Sequence, residues 1–343
     1  MKVIVVGGNA GGASCAARLR RLDEHAEIVM VERSAYVSFA NCGLPYYVGG
    51  VIEDDSDLLV ANEQLFREHF NVDARAHCEA ISVDPAAKTV DLRDTQTGET
   101  TTESYDNLVL SPGAPSVLPP IPGLDLPGVF KLRTVPDAHE IRQWTEGGSS
   151  FLAGMEKYSG FQTVRPPRRA VVVGGGFIGM ETAENLTRQG FEVTIVELAD
   201  QVPSPLDPEY GRLVADFLEN HGVRVATGDG VAALEQGEQE IVVRTQSGAE
   251  HVADIVVVAL GVRPDTTLAE AAGIEIGELG GIRVDEHMRT SDPHIFAAGD
   301  AVEVRDFVTG EWSLIALAGP ANRQARIAAD VIAGRDSTFR GTQ

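Results

Sequence analysis

Residues Lys2–Glu32 read KVIVVGGNAGGASCAARLRRLDEHAEIVMVE, and their pattern decides the fold. KVIVV is a short β-branched run, as expected of a strand buried on both faces of a parallel sheet. GGNAGG (Gly7–Gly12) follows, then ASCAARLRRLDEH with small or apolar residues at helical spacing, then a second buried strand, AEIVMVE. Strand, glycine loop, helix and strand make a βαβ unit of the dinucleotide-binding type. The glycines permit a tight turn, close backbone approach to a pyrophosphate and close helix–strand packing, and the helix N-terminus then faces the phosphates. Glu32 closes the second strand twenty residues beyond Gly12, where a carboxylate can accept hydrogen bonds from a ribose diol. Asn9 stands where the strict GxGxxG pattern has its middle glycine.

The same grammar returns in RRAVVVGGGFIGMETAENLTRQGFEVTIVELA. Here Gly174, Gly176 and Gly179 satisfy the strict pattern, and Glu197 closes the next strand eighteen residues after Gly179. Two copies in full register predict two nucleotide sites. The stretch ELADQ after Glu197 brings no cation, which favours NADH because NADP sites supply an arginine for the 2′-phosphate. Arg188 and Arg212 are the cations that could fold in, so NADPH stays open.

At 343 residues the chain is long enough for two or three domains, each with its own core. Its net charge of −23, with four lysines among 28 cationic residues, argues against nucleic-acid or anionic-membrane binding. Three cysteines without framework spacing fit a reducing cytosol. Only four apolar residues separate Lys2 from Gly7, which is no ordinary signal peptide, and no run approaches a membrane span. A cytoplasmic protein is expected. The histidines show no metal-ligand spacing, and no metal is expected.

Cysteine usage raises a separate question at SFANCGLPYY (Ser38–Tyr47). Cys42 sits between Asn41 and Gly43 with no CxxC partner, whereas Cys15 lies on the apolar face of the first helix and Cys78 has no motif around it. A free thiol titrates near ~8.5 and reacts as thiolate, which a helix N-terminus or nearby positive charge favours. NCGLPYYVGG predicts a short helix with Pro45 in its first turn. Ser38 and Asn41 flank the thiol; their plainer reading is turn chemistry. Arg18 and Arg21 are three apart on one helix face. They could hold phosphates, or form a solvated charged face with Arg20, Asp23 and Glu24.

A third element, TSDPHIFAAGDAV, places Asp300 directly after a strand and a glycine. With YDNLVLSPGAPS (Tyr105–Ser116) and ALGVRPDT (Ala259–Thr266), the ordered set resembles the FAD- and NAD(P)H-dependent pyridine nucleotide–disulfide oxidoreductases. Dithiol members carry CxxxxC or CxxC beside the flavin, and this chain has neither. SFANCGLPYYVGG resembles the coenzyme A disulfide reductases and the coenzyme A persulfide or polysulfide reductases, and LAGPANRQARIAAD looks like the same branch. NADH oxidases and peroxidases of this family also have a single cysteine.

The resemblance implies an α/β protein of two doubly wound, Rossmann-like domains, with the NAD domain (116–263) inserted into an FAD domain (1–115 and 264–343). FAD is then expected on Gly7, Gly8, Ala10, Gly11, Gly12, Glu32, Arg33 and Asn41. Ser111, Pro112, Gly113, Asp300, on the ribityl chain, and Ala318 complete that set. NAD(P)H is expected on Gly174, Gly176, Phe177, Ile178, Gly179, Glu181, Glu197 and Gly261, with Glu181 near nicotinamide and flavin. Cys42 becomes the catalytic thiol, and Arg18, Arg21, Ser38 and Asn41 the contacts to a substrate carrying coenzyme A. The implied activity is NAD(P)H-dependent reduction of coenzyme A disulfide or persulfide. The alternatives are an oxidase or peroxidase cycling Cys42 through sulfenic acid, and a non-catalytic flavin- and NADH-binding fragment. TEGGSSFLAGMEKYSGFQTVRPPRR (145–169) is longer than its connection needs and reads as a surface insertion. The chain stops at FRGTQ, whereas the resemblance implies a homodimer built by a further C-terminal domain; absence of that dimerisation domain is expected.

Overall fold

The computed structural model describes residues 1–147, 168–203, 206–237 and 240–342. Most of the 145–169 insertion therefore lies outside the described residues. The chain divides into two units, one formed by Met1–Phe39, Leu59–Pro115 and Arg263–Gln343, the other by Ala40–Leu58 and Ser116–Val262.

In the first unit the KVIVV run forms the central strand, Lys2–Val6, of a five-stranded parallel sheet. On one side lie Glu27–Val31 and Asp73–Arg75, on the other Asn107–Leu110 and Ile295–Ala297. The central strands are buried on both faces, as their unbroken β-branched character requires: Val3, Ile4, Val5, Ile28, Met30, Leu108 and Phe296 are all essentially inaccessible to solvent. Helix Ala10–Leu22 packs against helix Ala318–Ile332, with Ser14 Oγ donating to Asn322 Oδ1 at 2.6 Å. Two three-stranded sheets are attached here: an antiparallel one of Cys78–Asp84, Thr89–Asp94 and Thr100–Ser104, and a mixed one of Ile282–Arg283, Val302–Arg305 and Trp312–Leu314.

The second unit repeats the plan. Arg169–Val173 is central, Glu192–Val196 and Val223–Ala226 lie on one side, and Ile255–Val258 and Val129–Lys131 on the other, all parallel. In both sheets the strand leading into the glycine loop pairs directly with the strand ending in the acid, so loop and acid share one sheet edge. Both units are thus doubly wound α/β. An antiparallel sheet of Val231–Gln236, Ile241–Thr245 and Glu250–Ala253 is attached here too.

One boundary differs from the sequence-based expectation. The linear pattern puts residues 1–115 in one domain, yet Ala40–Leu58 packs with the second unit. The reason is local apolar burial. Leu44, Pro45 and Val48 are buried, and helix Leu44–Val48 packs against helices Phe177–Arg188 and Val135–Thr145. Arg142 lies 4.5 Å over the Tyr47 ring and donates to Glu53 O at 2.9 Å. No helix among the described residues is long and apolar enough to cross a membrane.

Candidate functional site

Each glycine loop is a close-packed turn with its open side at the C-terminal edge of a parallel sheet, where ligands of this fold class bind. In the first unit Gly7 takes φ +96°, and a Cβ there would meet Ser111 O at 2.0 Å. A Cβ on Gly11 would lie 2.2 Å from Ser111 Oγ, and one on Gly12 1.7 Å from Gly7 O. Helix Ala10–Leu22 can sit this close to the strand only because no side chain intervenes. Asn9, its N-cap, has φ −91° and ψ −157°, extended backbone that needs no glycine. The departure from the strict motif therefore costs the turn nothing.

Glu32 is held by this loop. Its Oε2 accepts from Gly8 N and its Oε1 from Ser34 N, both at 2.9 Å. Two backbone donors leave carboxylate lone pairs for a diol. Ser38, at φ 50° and nearly buried, donates its backbone N–H to Gly8 O at 2.9 Å, so its place beside the loop is set by the main chain. Gly299, at φ +91°, donates to the buried Gln324 Oε1 at 2.8 Å and directly precedes Asp300. A Cβ on Gly299 would lie 3.4 Å from Ser111 Oγ. Gly7, Gly11, Ser111 and Gly299 thus converge although they come from three distant parts of the sequence. Gly113 O accepts from Asp265 N at 3.0 Å, and Arg33 pairs with Asp265 Oδ2 at 3.0 Å. Pro112 lies between Ser111 and Gly113, Ala10 opens helix Ala10–Leu22, and Ala318 opens helix Ala318–Ile332.

The second unit builds the same device. Gly174 has φ +107°, and a Cβ there would lie 2.4 Å from Ala259 O. One on Gly179 would lie 2.0 Å from Gly174 O. Glu197 accepts from Gly175 N at 2.6 Å and Ala199 N at 2.8 Å, as Glu32 does. Around Gly176 the structure leaves open space, with nothing within 4 Å of a built Cβ, and Phe177 is exposed beside it. Ile178 is half-buried, and Gly261 turns at φ +86°. Both loops have a strand-end acid with spare acceptors and glycines where side chains cannot fit, and the second has open space at its helix N-terminus. They suit the pyrophosphate and ribose of a dinucleotide. Arg188 lies 3.9 Å from Glu184.

The thiols separate by environment. Cys15 is fully buried, which pushes its thiol up to about 12. Cys78 is half-buried, and desolvation raises it too. Cys42 is exposed. It sits in a one-turn 3-10 helix, Asn41–Gly43, running straight into Leu44–Val48, with Pro45 in the first turn. Of the proposed substrate contacts, Arg18 is bound to Asp330 Oδ1 through Nε and Nη2, both at 2.8 Å. Arg21 is exposed, 5.7 Å over Phe70, and Asn41 is half-buried in the turn with Cys42. Among the described residues no group of three or more His, Cys, Asp or Glu side chains could hold a metal ion.

Comparison with known families decides the affiliation, since the model for pyridine nucleotide-disulphide oxidoreductases matches residues 1–325. The chain belongs to that family. Its members work with FAD and NAD(H). The solved structure of reduced Bacillus anthracis CoADR-RHD is 47% identical, with a TM-score of 0.90; the match covers 99% of this chain and 58% of that one. A NAD-dependent persulfide reductase from A. fulgidus is 38% identical at a TM-score of 0.91, covering 99% of this chain and 61% of the other. A curated NADH oxidase of Methanocaldococcus jannaschii is 33% identical over 99% of this chain and 71% of its own length. This chain is therefore an oxidoreductase of the pyridine nucleotide-disulphide family, spanning under two thirds of those two solved chains.

Sequence reasoning missed two neighbours of the turn that carries Cys42. Tyr46 lies four residues after Cys42, and Glu181, then Glu184 and Cys42, help to raise its hydroxyl. The fully buried Asn185 faces the same segment. The i, i+4 spacing could have flagged Tyr46; nothing local announced Asn185. Burial first, and Glu184 second, push the half-buried Glu181 carboxyl above its ordinary range. A carboxyl raised on folding contributes stability that is complete below its unfolded pKa, near ~4.3, and lost as pH climbs through the folded value. Glu181→Gln is therefore expected to melt higher than the parent at pH 8, by no more than ~2 °C because the group is part-exposed. Thermal melts from pH 8 to 4 check this, and the gap should close at the acid end.

Proposed function

We propose that the chain is an NADH-dependent, FAD-containing reductase of coenzyme A disulfide or persulfide, acting in the cytoplasm through Cys42. The observation that carries this reading is the single exposed thiol in the turn Asn41–Gly43, with Cys15 buried and Cys78 half-buried. The relatives in the family include coenzyme A disulfide and persulfide reductases together with NADH oxidases.

The first loop, with Glu32, Ser111 and Asp300, would hold FAD; the second, with Glu197 and Phe177, would hold NADH. Bound FAD supplies two-electron transfer between nicotinamide and sulfur. The chain's own part is at the thiol. Cys42, as thiolate, attacks one sulfur of the acceptor, forming a Cys42–sulfur bond and expelling a thiolate or sulfide. Two electrons originating from NADH then cleave the new bond, restoring the Cys42 thiolate and releasing the other sulfur, which takes a proton, as a thiol or as sulfide. One protein thiol suffices because the acceptor brings the second sulfur. Arg21 and Arg18 are the cations we assign to phosphates of coenzyme A, and Ser38 and Asn41 line the approach. Engaging Arg18 would require it to share or leave Asp330.

The NADH oxidase relative supports a second reading, in which peroxide or oxygen oxidises Cys42 to sulfenic acid. Anaerobic titration of the FAD-loaded protein with NADH, followed by each acceptor, separates the two. Stoichiometric NADH consumption on adding coenzyme A disulfide or persulfide is expected. Consumption with oxygen or peroxide alone would overturn the choice, and no turnover with any acceptor would leave a binding fragment.

A further inference from the structure

The short helix after Cys42 is held in an unusual way. Leu44–Val48 has five residues, well below the length at which a helix stands alone, and the turn Asn41–Gly43 before it closes on a local bond, Gly43 N to Ala40 O at 2.9 Å. The position of Cys42 is therefore set by what grips that helix, together with the bond from Ala40 N to Leu58 O at 2.8 Å on the other side of the turn. Within the second unit, two amides from the helix behind the second glycine loop grip its C-terminal end. Gln189, the C-cap of Phe177–Arg188, donates Nε2 to Val48 O at 2.7 Å. Asn185 is fully buried and donates Nδ2 to Glu181 O at 2.8 Å, while its Oδ1 has no hydrogen-bond partner.

That oxygen faces Gly49. A Cβ on Gly49 would lie 2.3 Å from Asn185 Oδ1 and 2.7 Å from Asn185 Cβ. Gly49 has φ −75° and ψ −3°, a conformation open to any residue. The contact with Asn185, not the backbone, demands glycine there. A buried amide acceptor without a donor is costly, and a leucine of similar volume would pack without that cost.

We propose that Asn185, Gln189 and Gly49 form a clasp that fixes the Cys42 turn to the nucleotide-loop helix, and that they are positioning residues for the thiol. This deepens the functional reading above and rests on it. The clasp places thiol and second glycine loop on one rigid element, since the helix gripping Val48 and Gly49 is the one that begins at Gly176.

The test compares the parent with Gly49→Ala, Asn185→Ala and the double variant Gly49→Ala/Asn185→Gly, all as full chains. The rate of iodoacetamide alkylation of Cys42 is followed by peptide mass at one fixed pH, with the guanidinium-unfolded chain as reference. Each single variant should move that rate at least threefold toward the rate of the unfolded chain, and the double variant should move it back, because glycine at 185 removes the Cβ together with the amide and makes room for the methyl added at position 49. In turnover, the singles should lose at least tenfold in kcat with the sulfur acceptor, while KM for NADH and kcat with ferricyanide stay within twofold. Equal alkylation rates for parent and single variants, or a double variant no closer to the parent than Gly49→Ala, would overturn the clasp. If Gly49→Ala does not fold, the Asn185→Ala rate decides alone. A parent without sulfur-acceptor turnover would sink the functional reading, while the alkylation rates still judge the clasp.

Discussion

Cys42→Ser is expected to leave an FAD-loaded protein that passes electrons from NADH to ferricyanide at the parental rate and yet reduces coenzyme A disulfide or persulfide more than ~10³-fold more slowly. The substitution changes one atom on an exposed turn, so packing is untouched. A serine hydroxyl is not ionised near neutral pH and forms no sulfur–sulfur bond, so the covalent step has no route. Cys15 cannot substitute: burial pushes it to about 12 and keeps it from solvent. Cys78 is half-buried and raised as well. Paired steady-state assays with the two acceptors make the measurement, and a serine variant that reduces the sulfur acceptor at the parental rate would remove the thiol from the mechanism.

Alanine at Gly12 or Gly179 should produce the other large effect, and a different one at each site. At Gly12 the new methyl would lie 1.7 Å from Gly7 O, and at Gly179 2.0 Å from Gly174 O. Both obstacles are backbone, with no flexible side chain to yield, so helix and loop must part. Overpacking of this kind costs roughly 1–3 kcal/mol or more, concentrated where the phosphates would sit. Gly12→Ala is expected to purify with its flavin absorbance reduced ~10-fold or more. Gly179→Ala should keep its flavin but reduce it with NADH ~10²-fold more slowly in stopped flow. Full flavin in the Gly12 variant, or normal NADH reduction in the Gly179 variant, would contradict the assignment of one nucleotide to each loop.

Much of this architecture was legible because it is local. KVIVV and AVVVG announce buried strands by composition, GGNAGG and GGGFIG announce turns by what glycine alone allows, and Glu32 and Glu197 stand at fixed distances along the chain. Such patterns rest on backbone conformation and side-chain period, which neighbours in sequence determine. Even the singularity of Cys42 could be read from spacing, since the chain lacks a second cysteine near it.

Tertiary packing decided the rest. Arg18 and Asp330 are 312 residues apart, and no period in either helix foretells that the arginine expected to meet a phosphate already faces a carboxylate. Ala40–Leu58 joins the second unit because Leu44, Pro45 and Val48 bury against helices far along the chain. Gly49 is glycine only because Asn185 occupies the space its side chain would need. Contacts of this kind depend on which surfaces meet once the sheets have formed, and a linear pattern holds no record of that.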